Sequence, residues 1–420
     1  MDIEAEKERR SAAAQKYLIG ICWLVYTIAQ IGRYSYSSNT TLIIDKYGIS
    51  HAEAGLPATF YFLAYGIGQI ITGLFCSRYN KRYVISVALI ISTLCNLLLF
   101  FQIDFVYIKY IWGINGLAQA NLWPVLLLTI GQNIDESRKS TAAFWMSTAT
   151  TGGTFLSYAL GSMFAIQKEL FYYAFLVSGI MLAFAAVIWF LTTKNIDNKA
   201  YIQEKNNDAI EGDNRKQNKI SWGTILLFGL FAEFAMMSLA ISGGLRQWVP
   251  SIMKEIYMLD DAMAIFVTIL LPLFSIPNAL ISDFLYKRFG NFVLTIGGMF
   301  AVSVLLLLLL LGVMDVSWIL VMFLFVLLTM SMGIIQNQLT VQVPLYMQDK
   351  ANAGFLAGFL NGSSYIGNAL STYGLGLIAD HSGWTGVFML LTGISLVSSV
   401  LALIYLIVHK QKTHVRSKDE

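Results

Sequence analysis

Charge is what this chain most lacks. Of its 420 residues only 13% are Asp, Glu, Lys or Arg, against about a quarter in soluble globular proteins. So few charges cannot clothe a chain of this size in water, so most of it must face lipid. Cysteine is scarce as well. Cys22, Cys76 and Cys95 all sit in apolar segments, where a small buried hydrophobe is expected rather than a disulfide or a metal ligand. Four scattered histidines in no ligand spacing argue against a metalloenzyme. A net charge of +3 gives no footprint for nucleic acid. No nucleotide-binding loop, nucleophile elbow or ligand cluster occurs, so neither enzymatic chemistry nor a cofactor is expected. No cleavable signal is evident: the polar MDIEAEKERRSAAAQK runs straight into an apolar stretch too long for one.

What the chain has is hydrophobic length. Apolar residues make up 56% of it and the mean hydropathy is +0.63. Twelve apolar segments lie near 17–43, 53–76, 83–102, 107–132, 141–165, 171–193, 220–254, 262–282, 292–313, 317–345, 353–377 and 385–408. Each is close to the roughly 20 residues that cross a hydrocarbon core. Lipid offers no partner to backbone polar groups, so all should be helices, and the fold class is an all-α, multi-pass membrane protein. Lys and Arg are distributed unevenly between its two faces. On the side of the N-terminus the loops and tails hold 22, and the other side holds four: Lys46, Lys109, Lys168 and Lys254. By the positive-inside rule both termini are cytoplasmic, in a plasma (inner) membrane.

The polar stretch 194–219 is the only long one inside the chain, and it reads as a flexible cytoplasmic linker between bundles at 1–193 and 220–420. The halves resemble each other. SRYNKR follows the second span and DFLYKRFG the eighth, and the Gly-rich TATTGGTFLSYALG has a counterpart in GFLNGSSYIGNALSTYG. Two basic residues remain, Arg33 and Arg246, both inside spans and 213 positions apart. An arginine at a bilayer centre costs about 2.5–3.5 kcal/mol, so it needs a partner, a wet cavity or a ligand. Repeats of this kind point to a transporter of two pseudo-symmetric six-helix bundles.

GLFCSRYNKR resembles the G-x-x-x-D-R-x-x-R-R loop of the major facilitator superfamily, with Ser77 at the usual aspartate; the second copy keeps Asp283. That resemblance implies that Arg78, Arg82, Asp283 and Arg288 brace the cytoplasmic gate. Within the superfamily the chain resembles the organophosphate:phosphate antiporters, such as the glycerol-3-phosphate and hexose-phosphate permeases. The matching residues are NGLAQANLWP (115–124), the spacing of Arg138, Trp145 and Gly152–Gly153, Tyr65–Gly66 and WVPSIMKE (248–255). The resemblance implies a phosphate held by arginines of the first and seventh spans. Arg33 stands in the first position. Ser242 holds the second, with Arg246 one turn further on. The lysine and histidine that some members carry are Gln69 and Ala149 here, which leaves room for a monoanion or a carboxylate.

The expected working unit is a monomer in the lipid bilayer carrying a small anion: a phosphate ester, phosphate or a carboxylate. Paired guanidiniums suit such a ligand, because their planar donors match its oxygens and it relieves their repulsion. Substrate contacts are expected from Arg33 and Arg246, with neutral hydrogen bonds from Tyr34, Tyr36, Tyr65 and Gln69. Gln119, Asn337, Asn361, Ser364 and Tyr365 stand in spans that line the cavity of such a fold. Glu233, the one carboxylate well inside a span, is either a coupling group or a glutamate bonded to a neighbouring helix. The expected function is exchange of an organophosphate for phosphate by alternating access, the alternatives being proton-coupled carboxylate symport and a transporter-like sugar-phosphate sensor. The pair Gly358/Gly362 reads as close helix packing.

Overall fold

A computed structural model describes residues 2–75, 80–195, 222–347 and 353–416. Wherever their residues are described, all twelve expected segments fall mainly on helix, and the expected linker 194–219 lies outside the described residues but for its first two. The first span is Asp2–Ser38 continued by Thr40–Tyr47. The second to sixth are His51–Phe75, Lys81–Phe100, Phe105–Gln119 with Leu122–Asn133, Glu136–Ala165 and Tyr173–Thr192. The seventh is Trp222–Tyr257, and the eighth runs in pieces as Asp261–Val267, Leu270–Leu273 and Asn278–Phe289. Phe292–Val313 is the ninth; the tenth is Trp318–Asn337, prolonged by a π-helical turn at Gln338–Gln342 and by Val343–Tyr346. The eleventh and twelfth form one run, Ala353–Arg416, broken at Gly383 where φ is 65°. That left-handed value suits glycine, which has no Cβ to clash.

Nine helices among the described residues are long and apolar enough by themselves to cross a membrane. The difference from twelve has physical causes. The last two spans are continuous, the fourth is interrupted at Ala120–Asn121, and the fifth is rich in small polar residues.

Two prolines prepare the interior for function. Proline has no N–H, so the carbonyl four residues before it loses its helical partner. In lipid another donor must replace it. Pro124 frees the Ala120 carbonyl, which accepts from Gln69 Nε2 at 2.8 Å. Pro250 frees that of Arg246, which accepts from the Tyr158 hydroxyl at 2.8 Å. Sequence reading gave neither partner, because the donors come from distant spans.

Two of the three apolar core clusters divide with the chain, while the other joins residues of 34–175 to Ile265, Ile269 and Ala369. One core cluster comes from residues 227–402 with the single addition of Ala54, another wholly from residues 19–189. Across the division the second and eleventh spans run antiparallel. From the end opposite the termini, Ala52 N–H donates to Asp380 at 2.8 Å and the Thr59 hydroxyl to the Ala369 carbonyl at 3.0 Å. Tyr65 then meets Tyr365 with rings 4.4 Å apart, and Asn361 donates to Gln69 Oε1 at 3.1 Å. Between these, a Cβ on Gly66 would lie 2.9 Å from the Gly362 carbonyl, so the backbones meet only because both residues lack one.

The end opposite the termini is sealed. His51 stands between Asp380 and Glu255, 2.7 Å from each, and Trp384 Nε1 donates to Glu255 at 2.9 Å. Lys254 pairs with Asp45 at 2.5 Å and with Asp261 at 2.8 Å, and Lys168 with Asp261 at 2.6 Å. Trp248 is buried there and donates to the Thr372 carbonyl at 3.2 Å. On the terminal side of Gln69–Asn361, the Arg82 bond to the Phe190 carbonyl and the Asp283–Lys287 pair each lie within one set of six spans.

Candidate functional site

Arg33 is held by the polar run that follows it. Ser35 donates to Asn96 of the third span at 2.8 Å, and Asn96 reaches back to the Gly32 carbonyl at 3.3 Å. The turn carrying Arg33 is thus fixed from beside it. Its side chain is 3% exposed and enters a cage of aromatic rings. The guanidinium carbon lies 4.2 Å from the centre of Tyr65, 4.7 Å from Tyr365 and 5.5 Å from Tyr34, Tyr61 and Phe62. Each such contact is worth about 0.5–2 kcal/mol, the more when desolvated. Together they offset much of the burial cost without placing any negative charge beside the arginine.

Arg246 approaches from the seventh span. Its Nη1 donates to the Tyr34 hydroxyl at 3.1 Å, and its guanidinium lies 5.7 Å from the same ring. One phenol therefore separates the two arginines. No carboxylate forms an ion pair with either among the described residues. Nε and Nη2 of Arg33 and Nε of Arg246 are buried without a protein partner. Buried guanidinium N–H groups with no acceptor are costly unless a ligand supplies one.

The other expected residues sort by distance from this pair. Tyr65 and Tyr365 are in the cage. Gln69 and Gln119 stand behind it: Gln69 Nε2 donates to the Tyr65 hydroxyl at 3.0 Å, and the Tyr61 hydroxyl donates to Gln119 at 3.0 Å. Asn361 reaches the site through Gln69. Ser364 donates to Gln336 at 3.0 Å, and Gln336 in turn donates to Ser238 at 2.6 Å, tying the seventh, tenth and eleventh spans together. Asn337 itself is half-buried with no described hydrogen bond, because the helix turns its neighbour Gln336 inward instead.

Tyr36 is not brought to the arginines. Its hydroxyl donates to the Ala54 carbonyl at 2.8 Å and its ring packs on Trp112, so three residues of helix carry it to the interface with the second and fourth spans. Glu233 accepts from Ser398 of the twelfth span at 2.8 Å, which is the neighbouring-helix arrangement. Asp283 pairs along its own helix with Lys287 at 2.6 Å, and Arg288 is exposed beside Phe289. Arg82 donates to the Phe190 carbonyl at 2.8 Å, within the first six spans. Arg78 lies outside the described residues. Tyr61, Phe62 and Tyr158 were missed in sequence; the YF-x-x-Y run at 61–65 is the signal that could have found the first two.

Residues 22–372 match the family model described as Major Facilitator Superfamily. The glycerol-3-phosphate transporter of Bacillus subtilis is 24% identical over 96% of this chain and 95% of its own length. The membrane sensor protein UhpC of Escherichia coli is 26% identical over 34% of the chain, so the match spans about a third, 33%, of that relative. Among solved structures, a bacterial homologue of the human lysosomal transporter Spinster superposes with a TM-score of 0.70 at 15% identity, covering 96% of this chain and 97% of that one.

Proposed function

The chain belongs to the Major Facilitator Superfamily, and on that premise we propose that it carries a small organic anion by alternating access, binding the charged group between Arg33 and Arg246. The observation that supports this most is the pair of buried guanidiniums that share Tyr34 and have no carboxylate. An anion would accept from the three unpartnered guanidinium nitrogens, and the surrounding phenols would pack against the body of the substrate. Two cations left facing each other in a low-dielectric site favour whichever arrangement brings an anion between them. Exchange follows from this: a carrier that changes state readily only when loaded returns with a second anion. The whole-length match to a glycerol-3-phosphate transporter makes a phosphate ester exchanged for phosphate the leading substrate class. The orientation is that of the charge bias, with both termini in the cytoplasm.

A carboxylate is the second reading, favoured by one observation. The positions at which some members of the resembled family carry a third cation hold Gln69, whose amide is committed to Tyr65, Ala120 and Asn361, and the buried Ala149. With two cations in place of three, the site has less electrostatic preference for a dianion over a monoanion.

Counterflow in proteoliposomes separates these readings, since internal phosphate should accelerate uptake only by an organophosphate exchanger. Binding is tested with Arg33→Ala in a thermal-shift titration against phosphate esters, phosphate and sugar acids. Loss of two charge-assisted hydrogen bonds should lower affinity by at least about a hundredfold. Affinity within threefold of the parent for every ligand would remove Arg33 from the site.

A further inference from the structure

A groove runs down the lipid-facing side of the third and sixth spans, away from the arginines. Its volume is about 520 Å³, and its lining includes Tyr83, Ser86, Ile90, Leu94, Ala183 and Val187. Small residues form its floor and half-exposed apolar side chains its walls. From Tyr83 to Leu94 it covers eleven residues, about 16 Å of helix, close to the roughly 15 Å of hydrocarbon in one leaflet. At its mouth, on the side of the termini, lies a polar pocket of about 150 Å³ that shares Tyr83 and is lined by Asn80, Lys81, Arg82, Trp189, Thr193 and Lys194. No carboxylate lines either space.

We propose that groove and pocket together bind one anionic glycerophospholipid, with an acyl chain in the groove and the phosphate at the cations. Charge complementarity identifies the occupant: three basic side chains top an apolar channel one leaflet long. Basic pockets at the cytoplasmic ends of spans favour anionic headgroups in this way. The pocket is also built for an acceptor. Trp189 is fully buried, lines it, and its indole N–H has no partner. Arg82 uses Nε on the Phe190 carbonyl and stacks its guanidinium 3.8 Å over the Phe190 ring, which sets the rest of its donor fork in place. Ser86, one turn deeper than Arg82, has a buried hydroxyl without a partner at the depth of a lipid ester.

The test is native mass spectrometry of the full chain released from detergent, titrated with phosphatidylglycerol or with phosphatidylcholine of the same acyl chains. The parent should retain phosphatidylglycerol at least about tenfold more than phosphatidylcholine, because basic side chains at the membrane surface favour anionic lipid. Lys194→Gln, at an exposed side chain, should weaken retention. Ala183→Trp, which fills the groove and leaves the cations intact, should abolish it. Equal retention of the two lipids overturns the proposal, as does retention unchanged in both variants. Displacement of phosphatidylglycerol by inorganic phosphate alone would overturn it in favour of a free-anion site.

Discussion

The two ends of the molecule are held by different chemistry. Opposite the termini, a histidine between two carboxylates, two lysine–aspartate pairs and the packing of two buried tryptophans against that histidine join the halves. Toward the termini the described polar contacts stay within one half: Arg82 on Phe190, Glu233 on Ser398, Asp283 on Lys287. The crossings opposite the termini are contacts that must break if the halves are to rock there.

The comparison can be broken most forcefully at Asp380. It accepts from the backbone N–H groups of His51 and Ala52 and contacts the His51 ring. Asp380→Ala should raise labelling of a cysteine placed at Thr372 by a membrane-impermeant maleimide at least about tenfold, since net hydrogen bonds contribute about 1 kcal/mol each. Gly55→Ala should act similarly but less, about fivefold, from an overpacking strain near 1 kcal/mol. Its Cβ would lie 2.3 Å from the Thr372 carbonyl, whereas Gly131→Ala, with nothing within 4 Å, is the matched control. Asn361→Ala removes only the bond to Gln69 and should raise accessibility on the terminal side about threefold, the worth of one interhelical hydrogen bond. Glu233→Gln keeps an acceptor for Ser398 and should leave both ends unchanged; a loss of uphill uptake in that variant would give Glu233 a coupling role.

The fold was legible because lipid leaves few options. Hydrophobic length gave twelve spans, and charge bias gave an orientation to test. Breaks in the fourth and eighth spans were not anticipated, since prolines are tolerated in a membrane wherever another span supplies the donor. The arginines of the site were legible for the same reason: Arg33 and Arg246 are the two basic residues with no loop to explain them. Their surroundings were not. Sharing a helix face suggested Tyr36, but sequence spacing says nothing of which neighbour covers that face, and the second span claims it. Tyr34 was among the expected hydrogen-bonding residues, but its place as the contact shared by both arginines was not legible, because Arg246 comes to it from the seventh span.

The glycine contact between Gly66 and Gly362 can be regarded as a fulcrum. His51 lies fifteen residues from Gly66, a lever arm of about 22 Å. Rocking of the halves by about 10° would carry the His51 end through about 4 Å, while the bond at Gln69, three residues from the pivot, stretches by less than about 1 Å. Contacts of 2.7 Å at the far end would all part within the first few degrees, together rather than one by one. The same geometry gives large travel at the rim and near stillness at the arginines.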